Sequence, residues 1–81
     1  MKARVHVSFE KGVLDPQGRA IGLTLANLGF DGVVGVRKGK LIEIELTETD
    51  IEKARNSVSE MCEKLLANTV IENYEIVLED D

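Results

Sequence analysis

The stretch KARVHVSFE, residues 2–10, decides the fold, because its residues alternate strictly between polar and apolar types. The apolar positions are Ala3, Val5, Val7 and Phe9. Successive side chains of a β-strand point to opposite faces of the sheet, so alternation over this length predicts a strand with one buried and one solvated face. We therefore expect a sheet that packs against other elements on one side.

A helix is expected after this strand, starting at Asp15-Pro16. An aspartate carboxylate can accept a hydrogen bond from an amide of the first turn, and proline suits the first helical position because its nitrogen has no proton to donate. Apolar residues recur at helical spacing over residues 21–28. Gly29 can take the left-handed conformation that ends many helices, so the helix should end near residue 28.

Two short strands are expected next. Residues 32–37, GVVGVR, are rich in β-branched types, and residues 40–46, KLIEIEL, alternate again. Lys38-Gly39 between them is a typical turn pair, so the two runs predict a β-hairpin.

A second helix and a last strand complete the pattern. Residues 49–52, TDIE, fit a capping box, and apolar residues follow at helical spacing as far as Asn68. Residues 74–78, YEIVL, predict the last strand. The order β-α-β-β-α-β predicts an α+β fold of the ferredoxin-like (split βαβ) type, with one antiparallel sheet and both helices on a single face.

The length and composition suit one small globular domain, which we assign to residues 1–81. Hydrophobic residues make up 43% and charged residues 31% of the chain, an ordinary balance for a folded domain, and only the acidic residues 79–81 look prone to fray. One cysteine and one histidine supply neither an internal disulfide nor a structural zinc site. Small domains without such links often gain stability by association, so we expect a homo-oligomer.

The net charge argues against two classes of partner. Ten Lys+Arg against fifteen Asp+Glu give a net charge of −5. Nucleic acids and anionic membranes attract cationic surfaces, so neither is an expected partner. No apolar run approaches the roughly 20 residues of a spanning helix, and no signal-peptide pattern is present, so the expected location is cytoplasmic.

The reactive side chains form no recognisable catalytic set. His6 lies on the polar face of its strand, whereas Cys62 lies on the apolar side of its helix. Glu43 and Glu45 share one strand face, where cross-strand Lys or Arg is a commoner arrangement than paired catalytic carboxylates. The glycine spacing matches no phosphate-binding loop. We therefore predict no catalytic, cofactor-binding or metal-ligating residue in this chain.

The first turn of the first helix carries the most informative polar group. Residues 15–19, DPQGR, place a carboxylate, an amide, a guanidinium and a small residue together. They can form a well-capped helix with exposed side chains, or a docking turn whose polar groups hold another chain.

Four segments together resemble the PurS family, the small subunit of phosphoribosylformylglycinamidine (FGAM) synthase. They are GVLDPQGRAI (residues 12–21), LGF (28–30), VRKGK (36–40) with the Ile/Glu strand that follows it, and CEKLLAN (62–68). The resemblance extends over nearly the whole chain in length and element order.

The resemblance implies a non-catalytic subunit in de novo purine biosynthesis. Its complex would convert formylglycinamide ribonucleotide, glutamine and ATP to FGAM, glutamate, ADP and phosphate. The implied partners are a PurQ-like glutaminase, which releases ammonia, and a large PurL-like synthetase, which would hold ATP and Mg²⁺. The chain itself would bind no cofactor, and would bridge the two as a homodimer or homotetramer.

We assign the subunit contacts, as a hypothesis, to the first turn of the helix and to the hairpin. The residues are Asp15, Gln17, Arg19, Arg37 and Lys40. The second sheet face or the sheet edges would form the homo-oligomer. The alternative function is an ACT-like small-molecule regulatory domain, which shares the element order; the VLDPQG run favours PurS.

Overall fold

The computed structural model describes residues 1–80 as two helices and one three-stranded sheet. In chain order the elements are β1 (Lys2–Phe9), α1 (Pro16–Asn27), β2 (Gly39–Glu45), α2 (Ile51–Met61) with a π-helical turn (Cys62–Leu66), and β3 (Glu72–Glu79). The predicted single domain over residues 1–81 and the predicted fraying of the acidic terminus include Asp81, which lies outside the described residues.

The sheet is antiparallel and has the strand order β2-β1-β3. Val5 lies opposite Ile42 of β2 and Ile76 of β3, so each strand presents apolar residues on the same face. The alternation in residues 2–10 thus predicted both the strand and its buried side, and the predicted α+β class with an antiparallel sheet is confirmed.

The core lies between β1 and α2. Val5 and Val7 are fully buried on β1, as are Val58 on α2 and Cys62 at the start of the π-helical turn. Val5 and Val7 are two residues apart on a strand, and Val58 and Cys62 are four residues apart along helical backbone. The two side chains of each pair therefore point to the same side, into the space between the sheet and the helix. Ala3 and Ala54 complete the fully buried set.

The predicted hairpin is wrong, because residues 33–38 form no strand and β2 starts at Gly39. The expectation that both helices cover one sheet face holds for α2 alone: α1 hardly touches the other elements, and its one buried residue is Gly18. The cause is local. A Cβ added at Gly18 would lie 2.6 Å from the carbonyl oxygen of Val36, so the missing side chain lets the segment after α1 lie along that helix instead of along β2.

We call residues 14–38 the arm, because they extend away from the sheet. The radius of gyration is 15.9 Å, whereas a compact domain of this length has about 12 Å. The principal extents of 48 × 28 × 14 Å describe an elongated, thin molecule. The arm therefore accounts for a shape that the sequence pattern did not predict.

The helix ends agree with the sequence in most details. Asp15 is the N-cap of α1 with Pro16 in its first turn, and Gly29 after the C-terminus has a φ of +94°. The second cap differs by one position, because Asp50 rather than Thr49 accepts from the backbone N–H of Lys53, at 3.1 Å. The Asp50 carboxylate already accepts the hydrogen bond of the Lys53 amide, so Thr49 does not have to act as the N-cap.

Candidate functional site

Asp15 joins the first turn of α1 to the segment before β2. Its Oδ1 accepts a hydrogen bond from the Gly18 N–H at 2.8 Å, and its Oδ2 accepts one from the Lys38 N–H at 2.8 Å. One carboxylate therefore caps the helix and holds the returning chain. We call Asp15, Gly18 and Lys38, together with Arg37 and its partner Phe9, the clasp.

Arg37 is the member of the clasp that bonds to the end of β1. Its guanidinium donates a hydrogen bond to the backbone carbonyl of Phe9, the last residue of β1. The backbone hydrogen bonds donated by Gly18, which has the larger effect, and by Lys38 hold the pKa of the Asp15 carboxyl below its usual value. The nearby positive charge of Arg37 also lowers this pKa. The ionised form of Asp15 is thus the form that keeps the arm in place.

Glycine is required at position 18 for the clasp to close. A Cβ there would lie 2.6 Å from both the Asp15 Oδ2 and the Val36 carbonyl oxygen, closer than van der Waals contact allows. At Gly22, one turn later, a Cβ would meet only the Val36 side chain, with the nearest methyl group at 3.6 Å. The close approach of the two segments is therefore confined to the first turn of α1.

A small cleft lies beside the clasp. Its walls include Gln17, Lys40 and Glu72, and its volume is about 170 Å³. Lys40 Nζ lies 3.8 Å from Glu72 Oε2, so β2 and β3 are linked by charge at this end of the sheet. Pockets for small-molecule ligands usually have about 300–1,000 Å³, so the cleft suits a side chain of another protein better than a nucleotide.

Two of the five predicted contact residues keep their polar ends available. Within residues 1–80, neither Gln17 nor Arg19 makes a side-chain hydrogen bond or an ion pair, and both residues are exposed. The structure brings Asp15 and Arg37 into the clasp and places Lys40 beside it. The five residues thus lie at one junction, but only some of them have structural roles.

The sheet face opposite α2 is charged and open. Arg4 Nε lies 3.7 Å from Glu43 Oε1 and 3.5 Å from Glu79 Oε1, and Lys2 Nζ lies 4.0 Å from Glu43. The expected cross-strand pairing of the glutamate at position 43 is confirmed. His6 is exposed on the same face.

His6 and Cys62, the two reactive side chains, lie in different environments, as the sequence predicted. Cys62 is fully buried in the core, and burial raises the pKa of its thiol, with the neighbouring charge of Glu63 adding to the effect. Over residues 1–80 there is no group of three or more His, Cys, Asp or Glu side chains placed to hold a metal ion. In the same range, every helix is too short or too polar to cross a membrane.

Sequence reasoning missed the two backbone groups on which the clasp depends. The Lys38 N–H and the Phe9 carbonyl leave no trace in residue types, because every residue except proline has both groups. The available signal was Gly18, a helix-weakening residue placed three positions after an N-cap.

Comparison with known proteins gives one consistent result. Residues 2–80 match the family model described as PurS, phosphoribosylformylglycinamidine (FGAM) synthase. The PurS subunit of Bacillus subtilis is 46% identical, over 98% of this chain and 93% of that protein.

Two solved structures have the same fold. The crystal structure of Methanocaldococcus jannaschii PurS, one of the subunits of formylglycinamide ribonucleotide amidotransferase in the purine biosynthetic pathway, superposes with a TM-score of 0.90 at 48% identity and covers 99% of this chain and 96% of that one. A chain in the structure of PurLQS from Thermotoga maritima gives 0.86 at 36% identity, covering 94% and 93%.

Proposed function

Because the chain belongs to the PurS family and is a subunit of FGAM synthase in purine biosynthesis, we propose that it holds the glutaminase and synthetase subunits together without reacting itself. The relative from Thermotoga maritima occurs in a PurLQS assembly, which supports a three-component complex here. The alternative, an ACT-like regulatory domain, is not favoured, because the family match extends over residues 2–80.

The observation that carries the bridging role is the junction around the clasp. Among residues 1–80, the side chains of Gln17 and Arg19 have no hydrogen-bond or ion-pair partner, and they lie on a helix turn that Asp15 ties to the segment before β2. Polar groups on a pre-organised turn lose less conformational entropy on binding than those on a mobile loop. We assign the contacts with the larger subunits to this turn and to Arg37 and Lys40.

A rigid bridge has a clear chemical purpose in this reaction. Ammonia released by the glutaminase would be protonated and lost in bulk water, so the two active sites must be held in fixed register with water excluded. The synthetase would hold ATP and Mg²⁺, and this chain would bind no cofactor. The cytoplasmic location expected from the sequence stays a prediction.

We assign a homo-oligomeric state, a homodimer or a homotetramer, to the functional chain. Of the 13 large apolar side chains that are strongly exposed among residues 1–80, seven lie between Leu14 and Val34. Such a concentration of apolar surface marks an interaction site. Association would cover the arm and add the stability that a domain of this size needs.

The test is a mixing experiment with the candidate glutaminase and synthetase subunits. The double variant Gln17→Ala/Arg19→Ala should fail to co-elute with them in the presence of glutamine and Mg-ADP, and glutamine-dependent amination should fall with it. Lys53→Ala is the matched control, because it removes an exposed cationic side chain from α2, far along the chain from the clasp.

Circular dichroism should show that the double variant remains folded, since both side chains are exposed. Unchanged co-elution would remove these two residues from the contact. Full amination in the absence of the chain would disprove the bridging role.

A further inference from the structure

The last strand, β3, lies at an outer edge of the sheet and has backbone groups directed away from β1. The Glu10 N–H donates to the Ile71 carbonyl at 2.8 Å, and hydrogen-bonded pairs alternate along two antiparallel strands. This bond and the register of the two strands fix which residues of β3 bond to β1 and which do not. The residues whose N–H and C=O groups point to the outer edge are Tyr74, Ile76 and Leu78.

This outer edge has little of the protection that edge strands usually carry. β3 extends over eight residues without a proline, a lysine or an arginine. Among residues 1–80 one side chain bonds to its outward groups: an Arg55 guanidinium nitrogen lies 3.5 Å from the Ile76 carbonyl oxygen. Arg55 is exposed and the distance is long for a hydrogen bond, so another donor can replace it at little cost. An edge of this kind is a template for a further strand.

The side chains of β3 favour a cationic strand beside it. The strand carries three glutamates and no cationic residue. Glu75 and Glu79 point to the open sheet face, and Val77 lies between them. The carboxylate of Glu75 is exposed and has no hydrogen-bond or ion-pair partner among residues 1–80. A cation on a neighbouring strand would supply that partner.

A shallow groove on the open face gives such a cation a place to lie. Its volume is about 430 Å³, and exposed Leu41 and Val77 form part of its walls, with Glu75 beside them. The aliphatic part of a lysine or arginine side chain packs well on apolar walls while its charged end stays at a carboxylate. Arg4, which also lines the groove, is already paired with two glutamates.

We propose that the outer edge of β3 receives an extended, basic segment of the glutaminase or the synthetase subunit, which becomes a fourth strand of the sheet. Its lysine or arginine side chains lie over Glu75 and Glu79. The proposal rests on the bridging role proposed above and adds a second contact surface to it. Lys38 of the clasp leads into β2, whereas β3 is at the opposite edge of the sheet, so a subunit bound at the clasp need not cover β3.

A second copy of this chain does not suit the edge of β3. Two β3 strands side by side would bring the three glutamates of each copy together, and neither strand would contribute a cation. Like charges on paired strands are destabilising. The net charge of −5 on the chain acts in the same sense, because it repels a second copy and attracts a basic segment.

Hydrogen exchange of this chain, alone and in complex with both subunits, measures strand addition directly. Mass spectrometry with electron-transfer fragmentation reads the amides one by one. The outward amides of β3 should exchange fast in the free chain and about tenfold or more slowly in the complex, because a new hydrogen bond must open before exchange. The internal control is the outer edge of β2, where the same alternation directs other amides outward. Those control amides, which should not change on complex formation, belong to Leu41, Glu43 and Glu45.

Charge reversal tests whether the glutamates recognise the partner. Glu75→Lys should weaken binding to the subunits by about tenfold or more at low salt, because it sets a cation against the basic segment. Glu45→Lys is the matched control, since Glu45 is exposed on the same sheet face at β2 and has no ion pair among residues 1–80. It should leave the affinity nearly unchanged. Equal losses in the two variants would mean that the partner responds to net charge alone, and would overturn the assignment to β3.

Arg55→Ala tests the edge itself. The variant should bind at least as tightly as the unmodified chain, because it uncovers the Ile76 carbonyl and removes a cation from the path of the basic segment. A loss similar to that of Glu75→Lys would show that the partner is recognised through Arg55, and so carries the opposite charge, which contradicts the proposal.

The exchange experiment separates this proposal from the bridging role. If the complex forms and the outward amides of β3 exchange as they do in the free chain, strand addition is wrong and the bridging role stands. If the chain binds neither subunit, both are wrong.

Discussion

The half of the molecule built from the sheet and α2 differs from the arm in where its apolar residues find their contacts. Val5, Val7 and Val58 are fully buried within the chain. On the arm, Leu14, Leu28 and other apolar side chains remain exposed, and Gly18 is the one buried residue of α1. One half is thus stabilised by internal packing, and the other is held in place by a few polar contacts at the clasp.

The difference shows that amphipathic patterning identifies the apolar face of a helix, but not what that face contacts. The apolar residues of α2 and those of α1 both recur at helical spacing. The first packs against the sheet of its own chain, whereas the second hardly touches that sheet. Substitutions that act differently on the two halves can therefore test this comparison.

The largest difference should come from one substitution made in each half. Val5→Asp places an unpaired carboxylate in the core and should lower the free energy of unfolding by more than about 4 kcal/mol, because a buried charge without a partner is costly. Val34→Asp should leave the fold intact and weaken self-association instead, because Val34 is fully exposed. Urea denaturation and light scattering at matched concentration measure the two effects.

Equal losses of stability in the two variants would contradict the division into halves. A third variant, Val70→Asp, is the control for an exposed apolar residue outside the arm. It should change neither unfolding nor association.

The next effect concerns the two glycines of α1. Gly18→Ala should weaken the closed clasp by about 1–3 kcal/mol, because the added methyl group would overlap Asp15 and the Val36 backbone. Gly22→Ala should stabilise the arm by up to about 1 kcal/mol, because alanine favours the helix and its methyl group meets Val36 at an ordinary distance. Hydrogen exchange of the Lys38 amide reports both, and changes of the same sign would contradict the close approach.

A smaller effect should follow pH. The pKa of Asp15 is lowered in the folded chain, so the stabilisation from its ionised form is complete above the ordinary aspartate pKa and is lost as the pH falls through the lowered value. The Lys38 amide should therefore exchange faster, relative to the chemical rate, at the acid end of a titration. Asp15→Asn should remove this pH dependence, and a profile that it leaves unaltered would exclude the carboxylate as its source.

The smallest effect is expected on the open sheet face. Glu43→Gln removes ion pairs of 3.7 and 4.0 Å between side chains that are between one-third and one-half exposed. Solvent screens such pairs, so thermal unfolding should report a change within about 0.5 kcal/mol. A loss comparable to that of Val5→Asp would mean that the open face is not solvated.

Sequence reasoning predicted the sheet half well and the arm poorly, for a physical reason. The alternation in residues 2–10 and the spacing of Val58 and Cys62 reflect local geometry, which each segment expresses wherever it packs. The runs around residues 32–37 and 40–46 have strand-like composition, but a hairpin requires that they also pair with each other. The contact of Gly18 with Val36, which prevents that pairing, depends on a backbone distance that no periodicity encodes.

The candidate site also has one feature that the sequence predicted and one that it did not. The N-cap role of Asp15 was predictable, because an aspartate before a proline is a common helix start. Its second hydrogen bond, to the Lys38 N–H, joins segments more than twenty residues apart and required the structure. The contact roles of Gln17 and Arg19 remain predictions.

The central position of β1 constrains how this chain folds during synthesis. Lys2 lies opposite Glu79, and Phe9 lies opposite Glu72, so β1 pairs with a strand that is made much later in translation. The sheet cannot close until residues 72–79 have left the exit tunnel. Such distant pairing slows folding, so the apolar side of β1 needs protection from aggregation until β3 is available.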